Sequence, residues 1–421
     1  MQAIILAAGN SSRFYPFNDS HKSLVKVLGK PIIEHTLLAV KRAGIKDVII
    51  VIGENNGVKE QIAKIDNLGL KIQYVIQEEA LGAGEALLLA EKYIKDDFFL
   101  LHAHRVDFLQ FKDVLENKKK EKTEILLLAR KIKNLFEASK LGILKIENDK
   151  VLEIVEKPLS GKEPSDLAVV GIYLLNKLFL DTLRKTPKEH YSFEKAISQY
   201  ASQEKVGFVV TDKSNLSLKY PWDMLLLKNL VLASLRKYIS PTADIASSAQ
   251  LIGEVYVDEN AKIMENAVVK GPCYIGKNVL IGNNAVLRNG VDVEENSVIG
   301  ANMEIKNTLL MEDSKTHSGF IGDSVIGVNC RIAAGFHTAN VRLDRETVKV
   351  IVNGQKIDTG LKSLGIMVGN GARIGLKSSA MPGIIVGKNV SIGSGTSVMG
   401  NVGDNTKYYT KFQEVVIKKN G

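Results

Sequence analysis

The stretch Ile275–Ile305 reads IGKNVLIGNNAVLRNGVDVEENSVIGANMEI, and an aliphatic residue recurs in it at every sixth position. The same rhythm continues outward from this stretch at Ile245, Leu251, Val257, Ile263, Val269, Ile275, Ile281, Leu287, Val293, Ile299, Ile305 and Met311. A second unbroken run follows at Val368, Ile374, Ala380, Val386, Ile392 and Val398. A six-residue repeat predicts short strands joined by tight turns, each with one aliphatic side chain in a shared core. The pattern therefore predicts a parallel β-helix, with three hexads to a coil and about six coils in the two runs.

The rhythm slips once inside the repeat. From Met311 the next in-phase apolar residue is Phe320, a step of nine residues where six are expected. This step predicts that three extra residues bulge outward around Ser314–Gly319, and His317 lies in that bulge. A histidine displaced from a regular solenoid is a candidate functional residue.

A longer interruption spans residues 339–367, where the repeat disappears and charged residues are common. This segment predicts an extruded loop with a hairpin-like piece at Val348–Ile357, and long excursions from compact domains are usually functional or mobile. Within the repeat, glycine often follows the aliphatic residue, as in Ile275-Gly276. We expect these glycines to supply turn conformations that other residues resist.

The amino-terminal half alternates apolar strands with amphipathic helices. The predicted elements are strands at Ala3–Leu6, Val48–Ile52, Ile72–Ile76 and Phe98–His102 and helices at Ile32–Ala43, Lys59–Ile65 and Leu81–Tyr93. The alternation predicts an α/β domain over residues 1–222, with a mostly parallel sheet whose ligands bind at the carboxyl ends of the strands. Residues 223–240 predict a linker helix that ends at Ser240-Pro241. The solenoid then occupies 241–403, and 404–421 form a tail.

Composition excludes several classes of protein. At 421 residues and 46.1 kDa the chain is long enough for two or three domains. Its two cysteines, Cys273 and Cys330, exclude a disulfide scaffold and indicate a reducing compartment, so we expect a cytoplasmic protein. The longest apolar runs fall well short of the ~18 residues of a membrane helix. A net charge of +9 over the whole chain does not require a nucleic-acid partner.

The first strand is followed by a loop in which Leu6, Ala7, Ala8 and Gly9 precede two serines and Arg13. Glycine and serine let backbone N–H groups approach a phosphate chain closely, although a simple strand–helix turn explains the loop alone equally well. The further spacing favours the phosphate interpretation, with matching residues at Pro16, Lys22, Gln77, Gly82, Gly84, Gly142 and Glu156-Lys157-Pro158. Together these residues resemble the sugar-1-phosphate nucleotidyltransferases, whose patterns are LAAGxGxRxxP followed by Lys, QxxxxGTG and EKP.

The resemblance implies a Rossmann-like nucleotidyltransferase domain. In that family a sugar 1-phosphate attacks the α-phosphorus of UTP or dTTP, helped by bound Mg²⁺. By resemblance, Arg13 and Lys22 hold the triphosphate and Gln77 reads the nucleobase. Glu156 and Lys157 face the sugar phosphate. The other implied nucleotide- or sugar-phosphate-binding residues are Leu6, Ala7, Ala8, Gly9, Gly82 and Gly142.

The chain departs from the family at the metal-binding positions. The two metal-binding aspartates of the family fall at His104 and near Ser217, and its sugar-contacting asparagine falls at Val169. Its second loop glycine is Ser11. Magnesium prefers carboxylate oxygens and water, so a histidine and a serine are poor replacements. We therefore expect this half to bind nucleotide or sugar phosphate but to transfer slowly or not at all.

No metal ligand set is evident in the sequence. The remaining candidates are His104, Asp107 and Asp223. His102 and His104 lie two residues apart at a strand end, so their side chains share a face. Such a pair suits a softer metal such as zinc, but two histidines that are hydrogen-bonded or face solvent are the favoured interpretation.

Hexapeptide solenoids are most often acyltransferases, and the second half resembles the acetyltransferase half of bifunctional N-acetylglucosamine-1-phosphate uridyltransferases of archaeal type. The matching motifs are LRNG at 287–290, EIK at 304–306, HSGFIGDS at 317–324 and HTAN at 337–340, with a PW segment before the linker. The resemblance covers nearly the whole chain. It implies a left-handed parallel β-helix that transfers acetyl from acetyl-CoA to an amino-sugar 1-phosphate.

The chemistry explains which residue types match. An amine that attacks a thioester must lose a proton, which a histidine near neutral pKa can accept, and His317 matches the family's catalytic histidine. Arg288 and Lys306 match the basic pair that binds the sugar phosphate, and a fork and a point charge together suit a dianion. Without the resemblance, two solvated charges on the solenoid surface would be the favoured interpretation. Asn340 matches a residue that orients the substrate or the thioester carbonyl. Lys349 retains a neighbouring match in the extruded loop.

Two further positions depart from the acetyltransferase pattern, since Phe320 replaces a tyrosine and Glu346 replaces a lysine. The leading hypothesis is a bifunctional enzyme of nucleotide-sugar synthesis with small-molecule substrates, assembled as a homotrimer because one coil face cannot enclose a substrate. A second hypothesis is a non-catalytic nucleotide-sugar-binding or regulatory subunit. A third is a monofunctional nucleotidyltransferase whose solenoid only assembles it.

Overall fold

The computed structural model describes residues 1–54, 57–66, 68–120, 123–132, 138–213 and 216–417. Its contacts divide the chain into two compact units. The first unit contains Met1–Ser11, Asp19–Val25 and Lys30–Ser217, and the second contains Ser12–Asn18, Lys26–Gly29 and Leu218–Gly421. The last residues of the expected tail, 418–421, lie outside the described residues. Among the helices that the structure describes, none is long and apolar enough to span a membrane.

The first unit is built on a mixed sheet. Its main strands, in spatial order, are Val206–Thr211, Ile125–Lys131, Leu167–Leu175, Phe98–His102, Gln2–Ala7, Asp47–Gly53 and Lys71–Gln77. Leu167–Leu175 runs antiparallel to both of its neighbours on this path, whereas the other pairs are parallel. A hairpin of Gly142–Glu147 and Lys150–Glu156 joins beside Leu167–Leu175. Because both sheet faces are covered, consecutive residues of Gln2–Ala7 are buried.

Helices cover the two faces of this sheet. Those in the described part of the first unit are Ile32–Arg42, Val58–Ile62, Ala83–Ala90, Lys112–Lys119, Phe179–Lys185 and Ser192–Ala201. Short 3₁₀ turns lie at Ser12–Phe14, Lys22–Leu24, Glu91–Tyr93 and Phe108–Gln110. Ile33, Leu37 and Val40 of the first helix are fully buried, which is the four-and-three spacing of one helix face. The expected strand–helix alternation is confirmed.

The second unit is a left-handed parallel β-helix of three sheets. The first sheet contains Tyr238–Ile239, Val255–Val257, Cys273–Ile275, Val291–Val293, Leu309–Leu310, Val325–Ile326, Ile366–Val368 and Ile384–Val386. The second contains Asp244–Ile245, Lys262–Ile263, Leu280–Ile281, Val298–Ile299, Lys315–Thr316, Arg331–Ile332, Arg373–Ile374, Ser391–Ile392 and Lys407–Tyr408. The third contains Gln250–Ile252, Val268–Lys270, Val286–Arg288, Met303–Lys306, Gly319–Gly322, Phe336–Thr338, Ser379–Ala380 and Ser397–Val398.

The solenoid is longer than the six coils expected, because coils continue between the two aliphatic runs. The first and third sheets each hold eight strands and the second holds nine among the described residues. Strands pair from Tyr238–Ile239 to Lys407–Tyr408, beyond the expected limits of 241 and 403 at both ends. The expected linker helix is correspondingly shorter and spans Asp223–Leu232.

The predicted bulge at His317 is wrong: the coils become shorter there. Ile275 pairs with Val293, eighteen residues on, but Ile305 pairs with Ile321, only sixteen residues on. In this coil, repeats of five residues replace some of the repeats of six. Ile321 therefore points into the core, where the six-residue rhythm predicted Phe320. Thr316 occupies an inward position and breaks the aliphatic pattern that the sequence analysis followed.

The role expected for the repeat glycines is also corrected. Left-handed backbone in the repeat is adopted by asparagines, such as Asn278 at φ 57°, and by other glycines, such as Gly371 at φ 74°, but not by Gly276 or Gly282. A Cβ atom on Gly282 would lie 2.7 Å from the backbone nitrogen of Ala301 in the next coil. These glycines are therefore needed for close approach between coils.

The predicted excursion is confirmed as an insertion with its own hairpin. Lys349–Val352 pairs antiparallel with Gln355–Asp358, between the solenoid strands Phe336–Thr338 and Ile366–Val368. The strand Ile366–Val368 then pairs with Val325–Ile326, so the coil resumes after the insertion.

Candidate functional site

Two cations predicted to bind a sugar phosphate are neighbours on the outer face of the third sheet. Arg288 and Lys306 are direct register partners, because each ends its strand at the same level of successive coils. Both are half-buried. Arg288 pairs with Glu304 at 2.6 Å, and Lys306 pairs with Asp323 at 2.8 Å. The repeat therefore places a guanidinium and an ammonium side by side, which suits a dianionic phosphate.

His317 lies at the corner between the second and third sheets. Its backbone N–H donates to the carbonyl of Ile332 at 2.9 Å, which fixes the corner, and its side chain is exposed. Gly300, in the preceding coil, lies beneath the His317 carbonyl. A Cβ atom on Gly300 would overlap that carbonyl oxygen. The shortened coil thus presents His317 outward without the bulge that the sequence analysis predicted.

A groove of about 390 Å³ begins at this corner and runs along the second sheet. His317 lines it together with Lys315, Arg331 and Arg373. These three cations are successive register partners on one sheet face. Sequence reasoning missed them, although a basic residue at the same place in consecutive strands of a solenoid is a readable signal.

The other two predicted acetyltransferase residues lie after the third-sheet strand Phe336–Thr338. Asn340 donates from Nδ2 to Oδ2 of Asp323 at 2.5 Å, so it converges on the same carboxylate as Lys306. Lys349 begins the hairpin of the insertion and is exposed. Its assignment to the site stays a prediction.

The predicted phosphate loop of the first unit lies at the carboxyl edge of the sheet. Leu6 lies beside His102 near the end of the strand Gln2–Ala7, and its carbonyl accepts the N–H of Ala103 at 3.1 Å. The chain continues through Ala7 and Ala8 to Gly9. A Cβ atom added to Gly9 would have no other atom within 4 Å. Lys22 begins a 3₁₀ turn and its backbone N–H donates to the Ser11 hydroxyl at 3.1 Å.

Gln77, the predicted base-reading residue, ends its strand in a buried position. Its amide donates to the Gly82 carbonyl at 3.2 Å and to the Glu85 carboxylate at 2.9 Å. Gly82 adopts φ +108°, and a Cβ atom there would lie 2.5 Å from the carbonyl oxygen of His190. Glycine is therefore required at this position.

Glu156, one of the two predicted sugar-phosphate residues, borders a groove of about 400 Å³ in the first unit. Glu156 lines it with Tyr191 and Glu194, and the Lys157 ammonium donates to the Tyr191 hydroxyl at 2.8 Å. A Cβ atom on Gly142 would overlap the Glu156 carboxylate. Burial, with the nearby charge of Glu156, raises the pKa of Glu194 to about 7. Tyr191 and Glu194 carried no motif in the sequence.

Arg13 belongs to Ser12–Asn18, a segment that groups with the second unit. In that segment the Tyr15 hydroxyl donates to the Asp404 carboxylate at 2.8 Å. The expected role of Arg13 on a triphosphate stays a prediction.

The metal candidates do not form a magnesium site. Asp107 is buried and pairs with Arg105 at 2.9 Å, and the Asp223 carboxylate accepts the backbone N–H groups of Lys219 and Tyr220. In the parts of the chain that the structure describes, no three potential ligands among His, Cys, Asp and Glu come together. Both candidate carboxylates are thus engaged by other groups, and the histidine at position 104 does not fit Mg²⁺, which prefers carboxylate oxygens and water.

His104 occupies the position of one of the family's metal-binding aspartates, and His102 lies two residues before it. The rings of His102 and His104 stack with centroids 5.6 Å apart. Burial lowers the pKa of His104 well below its ordinary value, and the nearby charge of Lys22 lowers it further. At the carboxyl edge of the sheet, the neutral imidazole of His104 and the ammonium of Lys22 therefore stand in place of carboxylates.

Comparison with known proteins identifies both halves. Residues 2–222 match the nucleotidyl transferase family, residues 254–289 and 272–307 match the bacterial transferase hexapeptide family, and residues 365–399 match the hexapeptide repeat of succinyl-transferase. A protein named bifunctional protein GlmU from Methanococcus maripaludis is 34% identical over 427 residues, covering 100% of both chains. Its namesake from Methanocaldococcus jannaschii is 30% identical over 100% of both chains. A bifunctional sugar-1-phosphate nucleotidylyltransferase/acetyltransferase from Sulfurisphaera tokodaii is 29% identical over 96% of this chain and 98% of that protein. The chain belongs to this family of bifunctional GlmU-type nucleotidyltransferase/acetyltransferases.

Proposed function

We propose that the solenoid transfers an acetyl group from acetyl-CoA to the amine of an amino-sugar 1-phosphate. The observation that carries the proposal is the register of Arg288 with Lys306 on one sheet, with His317 exposed at the corner that leads into the next strand of that sheet. The paired cations hold the phosphate. The imidazole lies beside the groove, where it meets the amine. Glucosamine 1-phosphate is the substrate that the family resemblance indicates.

The reaction needs only proton transfer and positioning. The amine nitrogen forms a bond to the thioester carbonyl carbon, His317 accepts the proton that the nitrogen loses, and the carbon–sulfur bond breaks. The thiolate leaves and receives a proton, so the products are the acetamido sugar phosphate and the free thiol. Asn340 orients the substrate or the thioester carbonyl.

The test is the rate of thiol release from acetyl-CoA with glucosamine 1-phosphate. We expect His317→Ala to lower kcat by at least about a hundredfold, because a general base contributes 10²- to 10⁴-fold. His190→Ala is the matched control, since His190 is an exposed histidine of the first unit, and it should retain the wild-type rate. Unchanged thiol release in His317→Ala would overturn the assignment.

For the first unit we propose binding of a nucleoside triphosphate and a sugar phosphate with little or no transfer. The chain keeps the residues that bind substrate in the family at four positions, which supports binding: Lys22, Gln77, Glu156 and Lys157. The misfit of His104 and Asp107 to magnesium argues against efficient transfer. A non-catalytic, nucleotide-sugar-binding role of this unit is therefore the second candidate function.

Calorimetry with UTP distinguishes binding from transfer. We expect UTP to bind with a similar Kd in Mg²⁺ and in EDTA, and we expect no pyrophosphate release when a sugar 1-phosphate and Mg²⁺ are added. Lys22→Ala should weaken binding, whereas Lys46→Ala, which changes an exposed lysine of the same unit, should not. Normal Mg²⁺-dependent turnover would contradict this proposal and would show that another carboxylate set forms.

We further propose that the protein is cytoplasmic and forms a homotrimer. Cys273 and Cys330 are free thiols, and both are buried, as suits a reducing compartment. The trimer would supply a second wall for the groove at His317.

A further inference from the structure

One buried carboxylate joins several residues of the candidate acetyltransferase site. Asp323 follows the strand Gly319–Gly322 and is only 3% exposed. Its Oδ2 atom accepts hydrogen bonds from the Lys306 ammonium at 2.8 Å and from the Asn340 amide at 2.5 Å. Its Oδ1 atom accepts one from the Asn307 amide at 2.8 Å. Lys306 and Asn340, predicted separately from different motifs, thus share a single oxygen atom.

The backbone of Asp323 is fixed as firmly as its side chain. Its N–H donates to the carbonyl of Lys306 at 2.9 Å, and its own carbonyl accepts the N–H of Gly365 at 2.8 Å, where the insertion rejoins the solenoid. Its φ of +50° is left-handed, a conformation that aspartate and asparagine tolerate better than most residues. The carboxylate therefore has a defined position between the coil before it and the insertion after it.

The Asn307 amide defines which group can occupy position 323. Its Oδ1 atom accepts from the Lys228 ammonium at 3.2 Å and from the Asn229 amide at 3.0 Å, so its Nδ2 must face Asp323. Lys228 is fully buried and also donates to the Gly290 carbonyl. An amide at 323 that kept its oxygen toward Lys306 would set one NH₂ group against another.

We propose that Asp323 is a positioning residue of the acetyltransferase site, which orients the Lys306 ammonium toward the substrate phosphate and the Asn340 amide toward the reacting groups. The proposal rests on the acetyl-transfer function proposed above. A lysine has a long flexible stem, and an ion pair with a buried carboxylate restricts where its charge lies. Asp323 remains behind the phosphate site and does not contact the reacting atoms.

A pair of variants separates this role from a purely structural one. Asp323→Asn alone should lower the melting temperature, because of the clash with Asn307, and should also raise KM for glucosamine 1-phosphate. The double variant D323N/N307D restores a donor opposite an acceptor between the two side chains. We expect it to regain most of the melting temperature but not the substrate affinity, because Lys306 still lacks its carboxylate.

The expected result for D323N/N307D is a KM for glucosamine 1-phosphate raised by about tenfold or more, in line with a lost charged hydrogen bond, with KM for acetyl-CoA unchanged. Glu259→Gln is the control, since the Glu259–Lys277 pair at 2.7 Å is an exposed ion pair elsewhere on the solenoid. It should change neither KM.

The outcomes are distinguishable. A folded double variant with wild-type KM overturns the positioning role while the acetyl-transfer function stands. A wild-type protein that neither releases thiol with glucosamine 1-phosphate nor binds this sugar phosphate by calorimetry overturns both proposals.

Discussion

Single buried residues determine how this chain responds to pH, and His21 gives a direct case. His21 is 5% exposed, and its ring accepts the backbone N–H of Ser23 at 3.3 Å. Burial, with the adjacent charge of Lys22, lowers the pKa of His21 from 6.5 to about 4. The folded state thus keeps this imidazole neutral over a range in which the unfolded chain binds a proton.

We expect the contribution of His21 to the stability of the first unit to fall as the pH falls from about 6.5 to about 4, because the unfolded state binds a proton that the folded state does not. His104 contributes in the same direction, whereas Glu194, whose pKa is raised, contributes in the opposite one. The loss from His21 alone is roughly 3 kcal/mol, at 1.36 kcal/mol per pKa unit. His21→Asn keeps an acceptor near Ser23 without titrating, so it should flatten this part of the pH profile. Urea unfolding followed by helical circular dichroism measures the change.

The control for this measurement is His337→Asn, which replaces an exposed histidine of the second unit. It should leave the pH profile of the first unit unchanged. A His21→Asn protein whose stability falls with acid as steeply as that of the wild type would contradict the assignment of this pH dependence to His21.

At the scale of the element, the strand Gly319–Gly322 decides between two registers of the solenoid. Ile321 is fully buried in the aliphatic core, whereas Phe320 is half-buried on the outer face. We expect Ile321→Ala to lower the free energy of unfolding by about 2–5 kcal/mol, as deletions of buried aliphatic groups do. Phe320→Ala should cost about 1 kcal/mol or less. Chemical denaturation of both variants provides the comparison, and a larger loss in Phe320→Ala would support the register in which it points inward.

The same strand shows what could be predicted from sequence. The repeat can be recognised in the sequence because its inward positions are aliphatic over many coils, and only a solenoid explains such a pattern. At the break the inward positions include Thr316 and the serines Ser314 and Ser324, whose hydroxyls bond to backbone carbonyls. A search for aliphatic residues passes over such positions, and it therefore took Phe320 for the next core residue.

The residues of the candidate sites also differ in whether the sequence alone identifies them. Arg288, Lys306 and His317 carry motifs, so resemblance selects them. Asp323 lies inside the quoted motif HSGFIGDS, but its importance arises from three contacts with residues distant in sequence. Likewise, the segment Lys26–Gly29 groups with the second unit, where Asp292 accepts the N–H of Leu28 and Glu295 pairs with Lys26. No local sequence pattern predicts either contact.

At the scale of the whole molecule, the groove at His317 raises the question of what encloses the substrate. Sites for small molecules usually bury most of the ligand surface, whereas this groove runs along the outside of a flat sheet. The insertion nearby in sequence exposes Leu343 completely and Ile351 by 54%. Exposed aliphatic side chains on an extruded loop fit a loop that packs on another copy of the chain.

We expect sedimentation equilibrium at micromolar concentration to give a mass of about 138 kDa, three times the 46.1 kDa of one chain. Head-to-tail contacts that place the insertion of one copy against the groove of the next form a closed ring of three when a threefold rotation relates the copies. If a second copy completes the site, the specific rate of thiol release should fall on dilution into the range where the assembly dissociates. A monomer that retains its full rate at every concentration would show instead that one solenoid face suffices to hold both substrates.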